Sequence, residues 1–287
     1  MELARTLCAS GSPIKKSQLA RLLGIARSSL YVQPKRPKKD KALAVQIEEL
    51  HEQDDTMGHR KLAVLLATGK NRVKRVMHKY GITAQSLRKK YQYPGKAALT
   101  APNLLQEPSA QLPETEVVFS DIFELRLADG SRLRGCFALR KRSRQIVGMA
   151  FDYHMRADLV TNVIQTMTFS SAGSIWHSDQ GKQYGAQQTR ELLLQKGFRQ
   201  SMSRAGTPTD NGYAERFVGV FKLAVADRCS YQTLGEFLHA AESWVNFYNQ
   251  RRPHEGLGNL SPQQYAQQCI QEEVPSLTIY YSGAQKG

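Results

Sequence analysis

Cysteine is scarce in this chain, with four among 287 residues (Cys8, Cys136, Cys229 and Cys269) and no CxxC pair. That spacing excludes a disulfide framework and the paired-cysteine zinc sites, and it suits a reducing compartment. The seven histidines do not supply a zinc-type His/Cys spacing either. Long apolar runs are also missing. The longest uncharged segment, Leu159 to Ser178, is interrupted by Asn162, Gln165, Thr166 and several serines, so it does not read as a membrane span. The N-terminal residues lack the charged, apolar, small-residue order of a signal peptide, which predicts a cytoplasmic protein. Disorder is not expected, because 41% hydrophobic and 23% charged residues are ordinary for a globular chain long enough to hold more than one folded unit.

Acidic residues are sparse where basic ones are dense. Residues 1–100 carry 21 Lys and Arg against 7 Asp and Glu, whereas the rest carries 19 against 18, so +14 of the net +15 lies in the first third. A localised excess of this kind is expected of a region that neutralises nucleic-acid phosphates, the alternative being a merely soluble basic domain.

Within that third the apolar spacing is helical. In KKSQLARLLGIARSSLY, Leu19, Leu22, Leu23, Ile25 and Leu30 share a face, and Gly24 falls where a turn between two short helices is needed. This is a helix-turn-helix pattern over residues 1–35. Its second helix, about Ala26 to Tyr31, offers Arg27, Ser28 and Ser29 to DNA. A second helical region, residues 36–91, has Leu43, Ile47 and Leu50 on one face, a break at Met57-Gly58-His59, and then Leu62, Leu65 and Leu66. Val73, Val76, Met77 and Tyr80 follow at i, i+3, i+4 and i+7 before Gly81. Among its interleaved cations, Lys74 and Arg75 either track a DNA backbone or form a solvated face.

Residues 92–113 hold four of the eleven prolines and no period, and read as a linker. Beyond it the pattern becomes that of a mixed α/β domain. A strand starts at Val117-Val118-Phe119, a hairpin turn falls at Ala128 to Ser131, and further strands run over Leu133 to Leu139 and Ile146 to Phe151. A helix around Leu159 to Met167, a short strand ending at His177, a helix through Leu192 to Leu194, a strand at Phe198 to Met202 and a final helix complete the order.

Three acids occupy special places in that order. Asp121 lies in the first strand, Asp179 ends the fourth in HSDQGKQY, and Glu215 lies in the last helix, in TPTDNGYAERFVGVFK. Thr207, Pro208 and Asp210 look like the start of that helix, and Lys222 follows Glu215 by seven residues. With the first and fourth strands adjacent, Asp121 and Asp179 meet at mid-sheet and the helix can bring Glu215 to them. Such a trio repels itself unless cations compensate, as two Mg2+ ions roughly 3.5–4 Å apart do in phosphodiester chemistry. His177, beside Asp179, is either a metal ligand or a hydrogen-bonded structural histidine. Gly181 lets the loop turn closely.

With 35 residues between Asp179 and Glu215, and these flanking motifs, the chain resembles the retroviral-integrase superfamily. More narrowly, it resembles the downstream-frame transposases of two-frame bacterial insertion sequences. LARLLGIARSSLY, MGHRKLAVLL, SRQIVG and WVNFYNQRRPHEGLGNLSPQQY carry the likeness over most of the chain. The resemblance implies an RNase H-like catalytic core with a mixed five-stranded sheet at residues 114–235, preceded by the all-α helix-turn-helix region and followed by a C-terminal helical extension and tail at 236–287. It implies Asp121, Asp179 and Glu215 as the catalytic, metal-binding triad, Mg2+ as the cofactor (two ions, Mn2+ able to substitute), and Lys222 near the reactive phosphate. Arg251 and Arg252 are expected on DNA. Tyr248, Asn249 and His254 fall on the C-terminal motif, while Trp244, Phe247 and Tyr248 can equally be an apolar helix face. Asp210 and Asn211 are expected to support the Glu215 helix.

Two positions depart from the family pattern. Val118 stands where a tryptophan is usual, and Arg140 where an acid is frequent before the Ser-Arg pair. Implied partners are double-stranded DNA (element ends and target), further copies of the chain in a dimer or larger assembly, and an upstream-frame protein that would read the element ends. The implied place is the bacterial cytoplasm, on DNA. A non-catalytic DNA-binding regulator and a nuclease of the same fold are the alternatives. SLTIYY near the C-terminus reads as an added strand or an assembly contact.

Overall fold

The computed structural model describes residues 15–22, 24, 26, 35–86, 100–106, 115–167, 172–204, 207–228, 230–270, 277 and 279–281. They form two compact units, residues 1–46 and 47–287.

In the first unit, α1 (Lys16–Leu22) is followed by a turn at Gly24, whose φ of 60° suits glycine. Arg27, Ser28 and Ser29, offered by the expected second helix, lie outside the described residues. The long α2 (Lys35–Gln53) begins in this unit and ends in the next.

The second unit continues with α3 (His59–Leu65) and α4 (Lys70–Tyr80). Ile47, Met57, Leu62, Val73 and Val76 are fully buried, as their helical spacing requires. Gly81, at φ 69°, closes α4 in the left-handed conformation and donates its N–H to the Met77 carbonyl.

A six-stranded sheet follows, in the order β5-β4-β1-β2-β3-β6. Its strands are β1 (Val117–Arg126), β2 (Arg132–Arg140), β3 (Ile146–Asp152), β4 (Ile175–Ser178), β5 (Arg199–Met202) and β6 (Ile279–Tyr281). The first three are antiparallel neighbours, whereas β4 runs parallel to β1, β5 to β4 and β6 to β3. Five strands were expected. The sixth comes from SLTIYY, whose three paired residues align with Met149 to Phe151.

Helices cover both faces. On one, Val118, Cys136 and Ala138 pack with α5 (Ala157–Thr166), α6 (Lys182–Gly185) and α7 (Gln187–Gln195) through Leu159, Val163, Tyr184 and Leu193. On the other, Val117, Phe119, Phe123 and Phe137 pack with α8 (Gly212–Phe221) and α9 (Leu234–Gln250). Alternate strand residues belong to opposite clusters, as the two-residue period of a strand dictates. This mixed sheet between helical layers is an RNase H-like core. Trp244, Phe247 and Tyr248 are all buried, so they are the apolar face of α9.

Two sequence expectations change. Residues 100–106 are not free linker: the Ala101 N–H reaches the Met202 sulfur at 3.3 Å and the Leu104 N–H reaches Ser201 Oγ at 3.0 Å. The docking uses backbone donors, which leave no apolar period to read. The last core helix opens at Gly212 and not at Pro208, because Pro208–Asn211 winds as a 3-10 turn and Thr207 makes no side-chain cap. The two departures also find their context. Val118 lies opposite Trp176 of β4 with both fully buried, so an indole fills this layer from the next strand. Arg140 is paired with Glu116 at 2.7 Å, which places the acid on the other partner of the contact.

Candidate active site

The two-residue period aims Asp121 at the α8 side of the sheet. Its β1 neighbours Phe119 and Phe123 belong to the cluster that includes Phe217 and Phe221 of α8. Parallel pairing sets Phe119 opposite His177, so two residues further along Asp121, inside β1, stands beside Asp179, just past the end of β4. On α8, Ala214, Phe217 and Phe221 are buried against the sheet, and Glu215 lies exposed on the first turn. Lys222 begins the wider π-type turn after the helix, with its Nζ 6.0 Å from the Phe123 ring centre.

These groups act on one another. Burial pushes the Asp121 carboxyl up to about 7, and the negative charges of Asp179 and Glu215 push the same way. The Ile122 N–H, donated to Asp121 Oδ1 at 2.8 Å, and the Lys222 charge oppose that rise. Asp179 is likewise raised by burial, against the Gly181 N–H that donates to its Oδ1 at 2.9 Å. A Cβ on Gly181 would stand 2.9 Å from that same oxygen, so any larger residue there would displace the Asp179 carboxylate.

His177 resolves as a structural residue. Its Nδ1 pairs with Ser201 Oγ at 2.8 Å and its Nε2 with Ser203 Oγ at 3.0 Å, and burial lowers it to about 4. Both ring nitrogens are engaged, so it is not placed to ligate a cation.

The three acids present only oxygen donors, and Asp121 and Asp179 each carry an unfavourable charge that a divalent cation would relieve. The donor chemistry fits Mg2+. Yet no group of three or more His, Cys, Asp or Glu able to hold a metal ion is assembled among the described residues. Electrostatics links the three acids, but their positions stop short of a finished ligand set.

Asp210 and Asn211, expected to support the Glu215 helix, do so through partners that the sequence did not indicate. Asn211 donates from Nδ2 to the Ser120 carbonyl at 3.3 Å, tying the start of α8 to the strand residue before Asp121. Asp210 is held by the Arg204 backbone N–H at 3.1 Å and by Asn103 at 2.9 Å. The Asn103 bond joins residues 107 positions apart and has no sequence signature. Arg144 stacks on Tyr213, two residues before Glu215.

The residues expected on DNA divide. Lys74 is exposed and Arg75 half-buried on α4, and Arg251 is exposed beside Phe247. Arg252 is a correction. It is 4% exposed and its guanidinium is committed to Asp54 and Thr56, so it does not face a nucleic acid. Among the described residues, no helix is long and apolar enough to cross a membrane.

Residues 114–208 and 196–262 each match a family model described as an integrase core domain. The transposase for insertion sequence element IS904 of Lactococcus lactis subsp. lactis is 29% identical over 206 residues, covering 70% of this chain and 81% of that one. A putative transposase InsK for insertion sequence element IS150 of Escherichia coli K12 is 27% identical over 271 residues, covering 90% and 95%. Among solved structures, a simian T-cell lymphotropic virus intasome chain aligns at 13% identity with a TM-score of 0.48, covering 81% of this chain and 77% of that one. The two integrase-core matches, with likeness to these transposases over most of both chains, show that the chain belongs to the bacterial insertion-sequence transposases with an integrase-type core.

Proposed function

We propose that the chain cleaves and joins DNA strands at insertion-sequence ends through Asp121, Asp179 and Glu215. The observation that carries this reading is the coupling of Asp121, within β1, to Asp179, just past the end of the adjacent parallel β4, and to Glu215 on the first turn of α8. These three residues would hold Mg2+, as two ions that Mn2+ can replace. The bound metal supplies Lewis-acid charge for generating an oxygen nucleophile and stabilising a leaving oxygen.

The protein's own groups orient the DNA. Lys222, whose charge reaches Asp121, binds a phosphate next to the scissile bond. Gly181 keeps the loop after β4 clear of Asp179. In the first step water adds to phosphorus and the 3′ oxygen departs. In the second, that 3′-OH adds to another phosphodiester and displaces one strand oxygen. Lys74, Arg75 and Arg251, with Arg27, Ser28 and Ser29 of the N-terminal unit, contact the duplex. Holding two ends calls for at least a dimer, and an upstream-frame protein is a further partner. The place of action is DNA in the bacterial cytoplasm.

The test is to incubate the protein with supercoiled plasmid and Mg2+ or Mn2+, beside a Glu215→Gln variant. Metal-dependent nicking and joined products, absent from the variant, are expected. Products that are cut but never joined would indicate a nuclease. If both proteins bind DNA and neither cuts, the chain is a non-catalytic regulator.

A further inference from the structure

The loop that carries Asp179 is anchored on the face of the sheet opposite α8. Ser120, the strand residue before Asp121, turns its side chain to the layer of Val118, Cys136 and Ala138, and its hydroxyl shares a hydrogen bond with the Tyr184 hydroxyl at 2.9 Å. The Cys136 thiol closes a triangle, with Sγ 3.5 Å from Ser120 Oγ and 3.8 Å from the phenol oxygen. All three residues are fully buried. A hydroxyl in an apolar layer costs free energy unless it is hydrogen-bonded, and phenylalanine would fill the same space with no polar atom to desolvate. Packing alone therefore does not account for the Tyr184 oxygen.

That bond closes a short chain of contacts between two of the acids. Asp179 Oδ1 accepts from the Gly181 N–H at 2.9 Å, and the Gly181 carbonyl accepts from the Tyr184 N–H at 3.1 Å. The Tyr184 hydroxyl then meets Ser120, whose next residue is Asp121. The ring itself lies against the turn, with Cδ2 3.4 Å from where a Gly181 Cβ would stand.

The same segment is held from the other side. Gln200 of β5 donates from Nε2 to the Tyr184 carbonyl at 2.7 Å, and Thr189 of α7 donates from Oγ1 to the Gln183 carbonyl at 2.8 Å. Because β4 lies between β5 and β1 in the sheet, α6 is pinned to both neighbours of the strand that ends just before Asp179. Ser120 serves the third acid as well, since its carbonyl accepts from Asn211 Nδ2 at 3.3 Å at the start of α8. One strand residue thus touches both elements that must be set against Asp121.

We propose that Tyr184 is a positioning residue, whose hydroxyl bond to Ser120 fixes the Asp179 loop at the spacing from Asp121 that a divalent cation needs. It rests on the reading of Asp121 and Asp179 as metal ligands, and adds the group that sets their separation. Tyr184 touches neither carboxylate oxygen through its own hydroxyl; it acts through the Gly181 turn on one side and the β1 backbone on the other. Partners of this kind orient metal ligands without binding the metal.

The experiment has two readouts on the intact chain. Hydrogen exchange of residues 178–186 is followed in EDTA, and Mn2+ binding is read without DNA, from the rise in melting temperature along a Mn2+ titration. The proteins are the parent, Tyr184→Phe, Ser120→Ala, the double variant, and Asp179→Asn as the reference for a lost ligand. Tyr184→Phe keeps the ring, so it provides a folded variant even where Ser120→Ala does not. Exchange is expected to quicken in each variant, and the Mn2+ midpoint to rise on the order of ten-fold. The double variant should be no weaker than the weaker single, because both substitutions cut the same bond. Unchanged exchange overturns the positioning role, and so do additive losses in the double variant. A lower melting temperature in EDTA with an unmoved Mn2+ midpoint overturns it too, leaving Tyr184 a packing role alone. The parent decides the reading beneath. If it shows no Mn2+ response, or one that survives in Asp179→Asn, the metal reading falls and the proposal with it. If it responds through Asp179 and the Tyr184 and Ser120 variants match it, only the proposal falls.

Discussion

Arg252 and Asp54, 198 residues apart in sequence, meet as a buried ion pair with Nε and Oδ2 2.5 Å apart and side chains 4% and 0% exposed. Thr56 completes the junction: its Oγ1 donates to Asp54 at 2.5 Å and accepts from Arg252 Nη2 at 3.1 Å. Nearby, Arg228 donates to the Glu52 carbonyl. The loop after α9 is thereby clasped to the turn between α2 and α3.

Removing one partner of this clasp strands a buried charge. Arg252→Met and Asp54→Leu are each expected to lower stability by about 3–5 kcal/mol, and the double substitution by much less than the sum. Urea unfolding of the four proteins forms the cycle. Additive losses would show that the pair does not act as a unit.

Lys61 carries a pH signature. Burial, then the charges of Arg252 and Arg216, push its ammonium down to about 7, with Asp54 and Glu255 opposing. The unfolded chain holds that proton up to roughly pH 10. Stability therefore falls as pH drops from about 10 to 7, where the folded chain must take up the charge. Lys61→Met should melt higher than the parent at pH 7, by on the order of 1–3 kcal/mol, with the gain fading toward pH 10. A difference independent of pH would refute this origin.

The Arg140–Glu116 pair, 6% and 10% exposed, predicts a charge swap. Glu116→Arg or Arg140→Asp alone places like charges together in a half-dry site and should cost about 3 kcal/mol or more. Combined, they should regain most of it. Thermal melts of the four proteins decide, and a double variant no better than the singles would count against the swap.

Asn249 stands in for a strand. Its Oδ1 accepts from the Ile146 N–H at 3.0 Å and its Nδ2 donates to the Ile146 carbonyl at 2.9 Å, all of it buried. Asn249→Leu leaves both backbone groups at the head of β3 unpaired, at about 1–3 kcal/mol each. A denaturant midpoint unmoved in that variant would mean that other groups satisfy them.

Read alone, the chain determined what has a short-range footprint. Alternating residues set β1 and its faces, the 3.6 period set α4 and α8, and Gly81 ended α4 as expected. Asp179 stood out because it lies where an apolar run stops, and Asp121 and Glu215 joined it through their places in the strand order and the family resemblance. The tertiary structure decided what has no such footprint: the docking of residues 100–106, the seat of Arg252 on Asp54 and of Arg144 on Tyr213. An amphipathic period is a local consequence of burying one face. A hydrogen bond or ion pair between distant residues needs only one donor and one acceptor, and leaves no repeat along the chain.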